Sequence, residues 1–461
     1  MYGVSLEKFF HSYDTKTVTR CRAGLGISAA TVTDANAVEK ITLSVMAQGH
    51  ANFQIIQNQQ SASWAIYGSP VTPTCEHYKR AFFFAVGASP VLTTVFAADC
   101  LAPLLHDNVF VQDTVSLLGG YYALNNPQLL SVSQPDKRSL FRSLQSLRKF
   151  VAAEFQPTEG KDRPLVVMIC ALLLSFVELL VDPSGQLWDF SVRQLYCFSA
   201  KHQELSSSHS PFGRSVSTLA RILNALRAIC RPQDPNVDVS GQLPFLGSTK
   251  FLLTKEGAPL TQCQGQLLDR LAQDLEMWAQ LQWWAIGWKT QASLSKLQQS
   301  IVETYRIGSN VGGINIACIG SKFQRDMIAC ILWYSHQELG IFGNAMLTLY
   351  QSAIIEISQI FSDPCWLSLE CELPIMPLQL SYEQAISALN HAESSLQHLH
   401  LESVIYAPVL YAIGMEMARK PDKYRILRFI SNIERKGFAV TKQVILAIKK
   451  DWYLMNRNIK K

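Results

Sequence analysis

The sequence predicts an all-α protein, a large irregular helical bundle of roughly 15 helices. Three observations predict it. Apolar residues recur at spacings of three and four through most of the chain. Sustained alternation of branched and polar residues is almost absent, and hairpin dipeptides are few, so strands have little to build on. One stretch, LVVMICALLLSFVELLV at 165–181, is apolar on every side, with Glu178 its only charge. A helix apolar all round is buried all round, so the rest of the chain must wrap it. No fixed period of about 30–45 residues stands out, which argues against a helical repeat.

Composition fits that class. The 461 residues are 48 % hydrophobic and 17 % charged, the balance of a chain with a large core rather than a disordered one. Charge is unevenly distributed. From Arg419 onward thirteen Lys and Arg stand against Asp422, Glu434 and Asp451, a net of +10; the whole chain carries +5, so residues 1–418 carry −5. A basic end on a mildly acidic body suits nuclear import or a polyanionic partner, and its plainer meaning is a solvated helix face. The eleven cysteines stand singly, without any C-x-x-C, which excludes the common zinc spacings and a disulfide framework. Isolated thiols in a reducing compartment are the simple expectation. Residues 1–20 lack the basic start, apolar run and cleavage site of a signal peptide. Two stretches approach membrane-span character. The run 165–181 contains Glu178, and 82–105 contains Asp99 and is interrupted by Pro90. Both are expected to be core, with no membrane partner.

Taken in order, residues 1–73 form a weakly patterned N-terminal segment and 74–461 the helical domain. In the first, helix is expected at 6–11 and 34–58, the latter weakened by Gly49, and Pro70 to Pro73 mark a linker. Helices follow at 76–86, at 90–106 with Pro90 in its first turn, and at 113–123, ended by Asn125-Asn126-Pro127. Next come three helices around the apolar run. Leu140, Phe141, Leu144, Leu147, Val151 and Phe155 make an amphipathic stripe, with Arg142, Arg148 and Lys149 on its wet side. Asp162 is positioned to cap the apolar helix, and Pro164 sits in its first turn, where a missing N–H costs little. Asp182-Pro183-Ser184-Gly185 stops it, and Trp188, Val192, Leu195 and Ser199 start a third helix.

After a polar connector at Ser206-Ser207-Ser208 and Pro211, Leu219, Ile222 and Leu226 stripe a helix at 215–229. Residues 231–259, with four prolines and three glycines, read as an irregular surface excursion. A long Trp-rich helix at 261–304 is expected to bend or divide at Gly287, and Gly308 to Gly313 to form a turn. Residues 323–339 and 342–361 read as an antiparallel pair and 364–377 as a loop. Helices at 382–398, 403–418, 424–435 and 441–455 close the chain. In the last two, Ile426, Phe429, Ile430 and Ile433, then Val440, Val444, Ile448 and Trp452, form buried stripes. Lys449, Lys450, Arg457, Lys460 and Lys461 are left outward or in the tail.

The chemistry is sparse. G-x-S-x-G, H-E-x-x-H, the Walker A loop and G-x-G-x-x-G are all missing. The run Gly308-Ser309-Asn310-Val311-Gly312-Gly313 has glycines enough to cradle a phosphate, but neither the lysine nor the preceding strand. His391 and His398 share a helix face that His400 does not fit, and no further ligands join them, so surface histidines are expected rather than a metal site. Glu178 and Glu356 each sit in apolar helical company, where burial raises a carboxyl pKa, and a serine or backbone partner is expected for each. Trp278, Trp283, Trp284 and Trp288 either fill core or line an apolar ligand pocket. No catalytic or ligand-binding residue is assigned on this basis, and no cofactor or metal is expected.

The order of helix types carries a resemblance. KRSLFRSLQSLRKFV, LVVMICALLLSFVELL with Glu178, and LWDFSVRQLY with Trp188 resemble the core of the fungal-specific transcription factor domain, the regulatory half of Zn2Cys6 zinc-cluster regulators. The chain end is similar in kind: APVLYAIGMEMA with Pro408, RILRFISNIERKG with Gly437, and VTKQVILAIKKDW with Trp452. Together these pieces cover most of 75–455 loosely. The resemblance implies a helical effector domain that controls a fungal metabolic (secondary metabolite) gene cluster, in the nucleus or alternatively the cytoplasm. It leans away from catalysis. The six-cysteine cluster with which family members bind DNA has no counterpart: Cys21 has no cysteine within two residues, only Arg20 and Arg22 beside it. The expectation is then a protein partner, either a DNA-binding regulator or the transcription machinery, or a zinc cluster missing from this chain. No direct sequence-specific DNA contact is evident. The alternative is an enzyme or small-molecule-binding protein of a biosynthetic pathway that reuses the scaffold, with an apolar ligand among the Trp-rich helices.

Overall fold

The computed structural model describes residues 73–87, 89, 91–96, 98–126, 136–155, 164–202, 211–230, 264–297, 303–336, 340–395, 401–435, 437–438 and 441–459. Among them every regular element is a helix, as an all-α chain requires. The helices expected at 6–11 and 34–58, the capping role of Asp162, the excursion at 231–259, and His398 and His400 lie outside the described residues.

Helices α1 (Pro73–Gly87), α2 (Leu92–Val95), α3 (Ala98–Asp107) and α4 (Val109–Asn125) open the described chain. The single helix expected over 90–106 is therefore two. Phe96 leaves the helical range and ends α2, while a distant side chain fixes its start. Glu402 Oε2 accepts the N–H groups of Val91 at 2.8 Å and Leu92 at 3.0 Å, donors that a helix start leaves unpaired. Helix α4 begins earlier than the apolar pattern suggests because Asn108 caps it, accepting from the N–H of Val111.

Helices α5 (Lys137–Glu154), α6 (Pro164–Val181) and α7 (Gln186–Lys201) are the expected trio, and α8 (Pro211–Cys230) follows. Asp136 caps α5 through the N–H groups of Arg138 and Ser139. Helix α6 is packed against α4, α5, α7 and α8, and every residue from Val166 to Leu180 is buried. By length and composition α6 would cross a membrane, yet 83 % of it is buried inside the protein. Full burial of each large aliphatic side chain contributes about 1.5–3 kcal/mol, so this helix is a main source of stability.

Two expectations about α5 are corrected. Phe141 is 53 % exposed and stands outside the buried stripe of Leu140, Leu144, Leu147 and Val151. Arg148 is not on a wet face: it leans over α6, its Nε and Nη2 donating to the two oxygens of Glu178 at 2.8 and 2.6 Å.

The second half comprises α9 (Gln264–Leu297), α10 (Glu303–Ser335), α11 (Gly340–Phe361), the short α12 (Pro364–Leu367) and α13 (Leu378–Ser395). A 3-10 turn at Leu401–Tyr406, then α14 (Ala407–Glu416), α15 (Lys420–Arg435) and α16 (Thr441–Ile459) complete it. Gly287 does not divide α9, which runs unbroken for 34 residues. The turn expected at Gly308 to Gly313 is helix within α10. The tertiary reason is at Gly313, where a Cβ would meet the Trp288 ring at 2.6–2.8 Å, so the glycine admits the indole against the helix backbone. The loop expected at 364–377 opens with the helical turn α12, capped by Asp363. The helix expected at 403–418 is split into the 3-10 turn and α14, whose first turn carries Pro408 and so lacks one N–H. Between α15 and α16 Gly437 adopts φ +102°, a left-handed conformation that costs glycine little. Helix α11 is packed against α9, α10, α13 and α14, while α8 against α9 joins the halves.

Candidate functional site

Helix α11 is buried on all sides, as α6 is, but its sequence is not that of a greasy rod. Thr348, Tyr350, Gln351, Ser352, Glu356 and Ser358 are all buried on it. A buried polar group costs free energy unless it is hydrogen-bonded, and most of these are answered by a neighbouring element. Tyr350 donates to Asp274 Oδ2 at 2.9 Å on α9, and Gln351 donates to Ser387 Oγ at 2.8 Å on α13. Glu356 Oε1 accepts from Gln282 Nε2 at 2.7 Å, and Ser358 Oγ accepts the N–H of Met376 at 2.8 Å. Gln359 reaches α14, donating to Glu416 Oε1 at 2.6 Å.

Two of these contacts, with a third just beyond the end of α11, form a ladder along α9. Helices α9 and α11 run in the same direction. Their polar contacts then advance together: Asp274 with Tyr350, Gln282 with Glu356, and Lys289 with Asp363 just beyond α11. Seven or eight residues separate successive members on α9, two helical turns, which keeps all three on one face. Between the rungs lie Trp278, Leu281 and Ala285, all buried. At the far end Trp288 lies 4.1 Å from the Trp366 ring, and Phe361 lies 4.5 Å from it.

The first rung has the richest electrostatics. Burial drives the Asp274 carboxyl above the usual carboxylate range, while Arg270 Nε at 2.9 Å and the Tyr350 hydroxyl oppose that rise. Burial likewise holds the Tyr350 hydroxyl well above its ordinary value and pushes the neighbouring Cys330 thiol up to about 11. Tyr334 is raised too, chiefly by burial, its ring 5.7 Å from that of Tyr350. The result is a protonated tyrosine and thiol beside a cation–carboxylate pair, an arrangement that holds protons in place. Arg270, about one-third exposed, is its link to solvent.

The residues singled out in the sequence do not converge. Glu178 and Glu356 lie on α6 and α11, and for each a side chain that the sequence did not point to is a partner. Glu178 takes an arginine and Glu356 a glutamine amide. His391 on α13 is half-buried, 3.1 Å from Asn344 Oδ1, and burial lowers its pKa. Of the four tryptophans, Trp278 and Trp288 are buried and Trp283 and Trp284 half-buried. Among the described residues no group of His, Cys, Asp and Glu has the arrangement to hold a metal ion.

Sequence reasoning missed Asp274, Arg270, Tyr350 and Glu402. The last is fully enclosed: besides the two backbone N–H groups on α2 it accepts from Tyr406 Oη at 2.7 Å. Burial pushes its carboxyl up to about 7 against those three donors. The 3-10 turn that carries it has no periodicity to mark it in sequence.

Comparison with protein families, with curated proteins and with solved structures finds no match to this chain.

Proposed function

We propose that this protein is a helical effector domain of a transcription regulator, acting on a fungal metabolic gene cluster through a DNA-binding partner protein. The observation that carries the reading is the order of helix types. An amphipathic helix (α5), an apolar helix ending in Glu178 (α6) and a helix opening on Trp188 (α7) are followed at a distance by the Pro408, Gly437 and Trp452 elements. Three features of the fold support it. Arg148 ties α5 to α6 at Glu178, Trp188 is buried at the start of α7, and Gly437 provides the left-handed turn between the last two helices. A regulator of this kind needs a rigid helical body and surfaces for protein partners, and works in the nucleus.

Deleting the gene in its host and profiling neighbouring transcripts and metabolites from the same cultures tests it. Coordinated loss or rise of the transcripts is the expected result. Unchanged transcripts with one vanished metabolite and an accumulated precursor would overturn it. That second outcome belongs to an enzyme or small-molecule-binding protein, a reading favoured by one observation: the part-exposed Arg270 beside the buried Asp274 and Tyr350. Their raised carboxyl and fixed hydroxyl are the chemistry such a site would use.

A further inference from the structure

The last two helices turn most of their cations outward and two of their acids inward, while Arg425 on α15 pairs with Glu393 on α13. Asp422 on α15 accepts from Tyr382 Oη at 2.6 Å, and Asp451 on α16 accepts from Tyr411 Oη at 2.7 Å. Asp451 is only 6 % exposed. The inward faces are otherwise apolar: Ile426, Phe429, Ile430 and Ile433 on α15, with Val444, Ile448 and Trp452 on α16. What is left outside is different. Lys420, Tyr424, Arg428 and Arg435 are exposed on α15, and Lys442, Leu446, Lys449 and Tyr453 on α16, with Lys450 beside them. At about 100° per residue each set is one stripe along its helix, since spacings of three, four, seven and eleven stay on one face.

The two stripes face the same way. The short connection makes the helices antiparallel, and Lys423 Nζ sits 4.9 Å from the centre of the Trp452 ring, which sets their level. One step on from a facing pair, two antiparallel right-handed helices turn to the same side, so Tyr424 and Tyr453 stand together on one surface. They are 79 % and 66 % exposed. The acids at the edge of that surface are Glu434, half-buried on α15, and Glu393 of α13, which is paired with Arg425.

We propose that this surface binds a single-stranded nucleic acid, with phosphates along the lysines and arginines and bases against Tyr424 and Tyr453. The charge is spread along two helices about 24 and 28 Å long rather than gathered in a pocket, which suits a polyanion and not a small anion. Exposed rings among cations are what an unpaired base can stack on, and a duplex keeps its base faces covered. A membrane surface would be met by an apolar face, but the apolar faces of α15 and α16 are spent on the core, leaving Tyr424, Leu446 and Tyr453 outside. The proposal is independent of the regulator reading, which concerns protein partners.

The test is fluorescence anisotropy of the full chain with labelled mixed-sequence single strands and duplexes of equal length, across a salt series, and sedimentation with phosphatidylserine vesicles. Single strands should bind more tightly than duplexes and weaken steadily with salt. Tyr424→Ala/Tyr453→Ala should lower single-strand affinity by about tenfold or more while leaving the salt slope unchanged. Lys442→Gln/Lys449→Gln should reduce that slope by roughly one to two. All four side chains are exposed, and circular dichroism checks that the variants fold. Binding to vesicles but not to oligonucleotides, duplex binding as tight as single-strand binding, or wild-type affinity in both variants would each overturn the proposal.

Discussion

Helices α6 and α11 are both buried on every side, and they are buried by different means. Helix α6 is apolar from Val166 to Leu180 apart from Cys170, Ser175 and Glu178. Its neighbours α4, α5, α7 and α8 need only present apolar faces, and the one ion pair with Arg148 answers its charge. Helix α11 has as many packed neighbours, but its contacts with α9, α13 and α14 each include a named hydrogen bond. Hydrophobic burial is non-directional, so α6 would tolerate small shifts of its surroundings. Hydrogen bonds between buried groups are directional and costly to leave unmade, so α11 fixes the register of its neighbours. Around α6 the packing is held by volume, around α11 by pairing.

The largest expected effect breaks the ion pair that answers the charge on α6. Arg148→Ala would leave Glu178, 2 % exposed, as an uncompensated buried carboxylate, at a cost of about 3–5 kcal/mol in urea unfolding. Arg148→Met with Glu178→Leu should recover most of it, because the surroundings are already apolar. If the single variant costs under about 1 kcal/mol, the pair does not answer that charge.

Glu402 sharpens the contrast, being a buried carboxylate answered by neutral donors alone. Its folded pKa of about 7 lies above its ordinary 4.5, so between these values the native state holds a proton that the unfolded chain has lost. Its stabilising share is therefore complete below about pH 4.5 and is lost as pH rises through 7, by about 3 kcal/mol. Unfolding midpoints taken from pH 5 to pH 8 should show that decline, and Glu402→Gln should flatten it.

Gly313→Ala tests the close approach of α10 to Trp288, where a Cβ would lie 2.6 Å from the ring. Overpacking there should cost about 1–3 kcal/mol, with a change in tryptophan fluorescence. The smallest effect is Tyr350→Phe, which removes a donor but leaves Asp274 its arginine. A loss of about 1 kcal/mol is expected, and a double-mutant cycle with Asp274→Asn should show coupling of the same order. No coupling would reduce the first rung to simple packing.

What was legible in the sequence follows the same division. The trio α5 to α7 stood out because a greasy segment leaves no choice of face, and its buried stripe was readable from spacing, Phe141 apart. The candidate site was nearly illegible. Asp274, Tyr350 and Gln282 are polar residues in amphipathic helices, where spacing alone reads them as surface, and their partners lie some seventy-five residues away. The glycines of α10 read as a turn because their reason for being there is a tryptophan on another helix.

The sequence by itself determined the helical class, the apolar centre and the uneven charge, since periodicity, hydrophobicity and net charge are local sums over neighbours in the chain. Only the tertiary structure decided that Arg148 belongs to Glu178, that α9 and α11 run side by side through a polar ladder, and that Asp422 and Asp451 turn inward while most cations of their helices turn out. Those outcomes depend on directional contacts between residues far apart in sequence, and no local pattern encodes which distant partner will arrive.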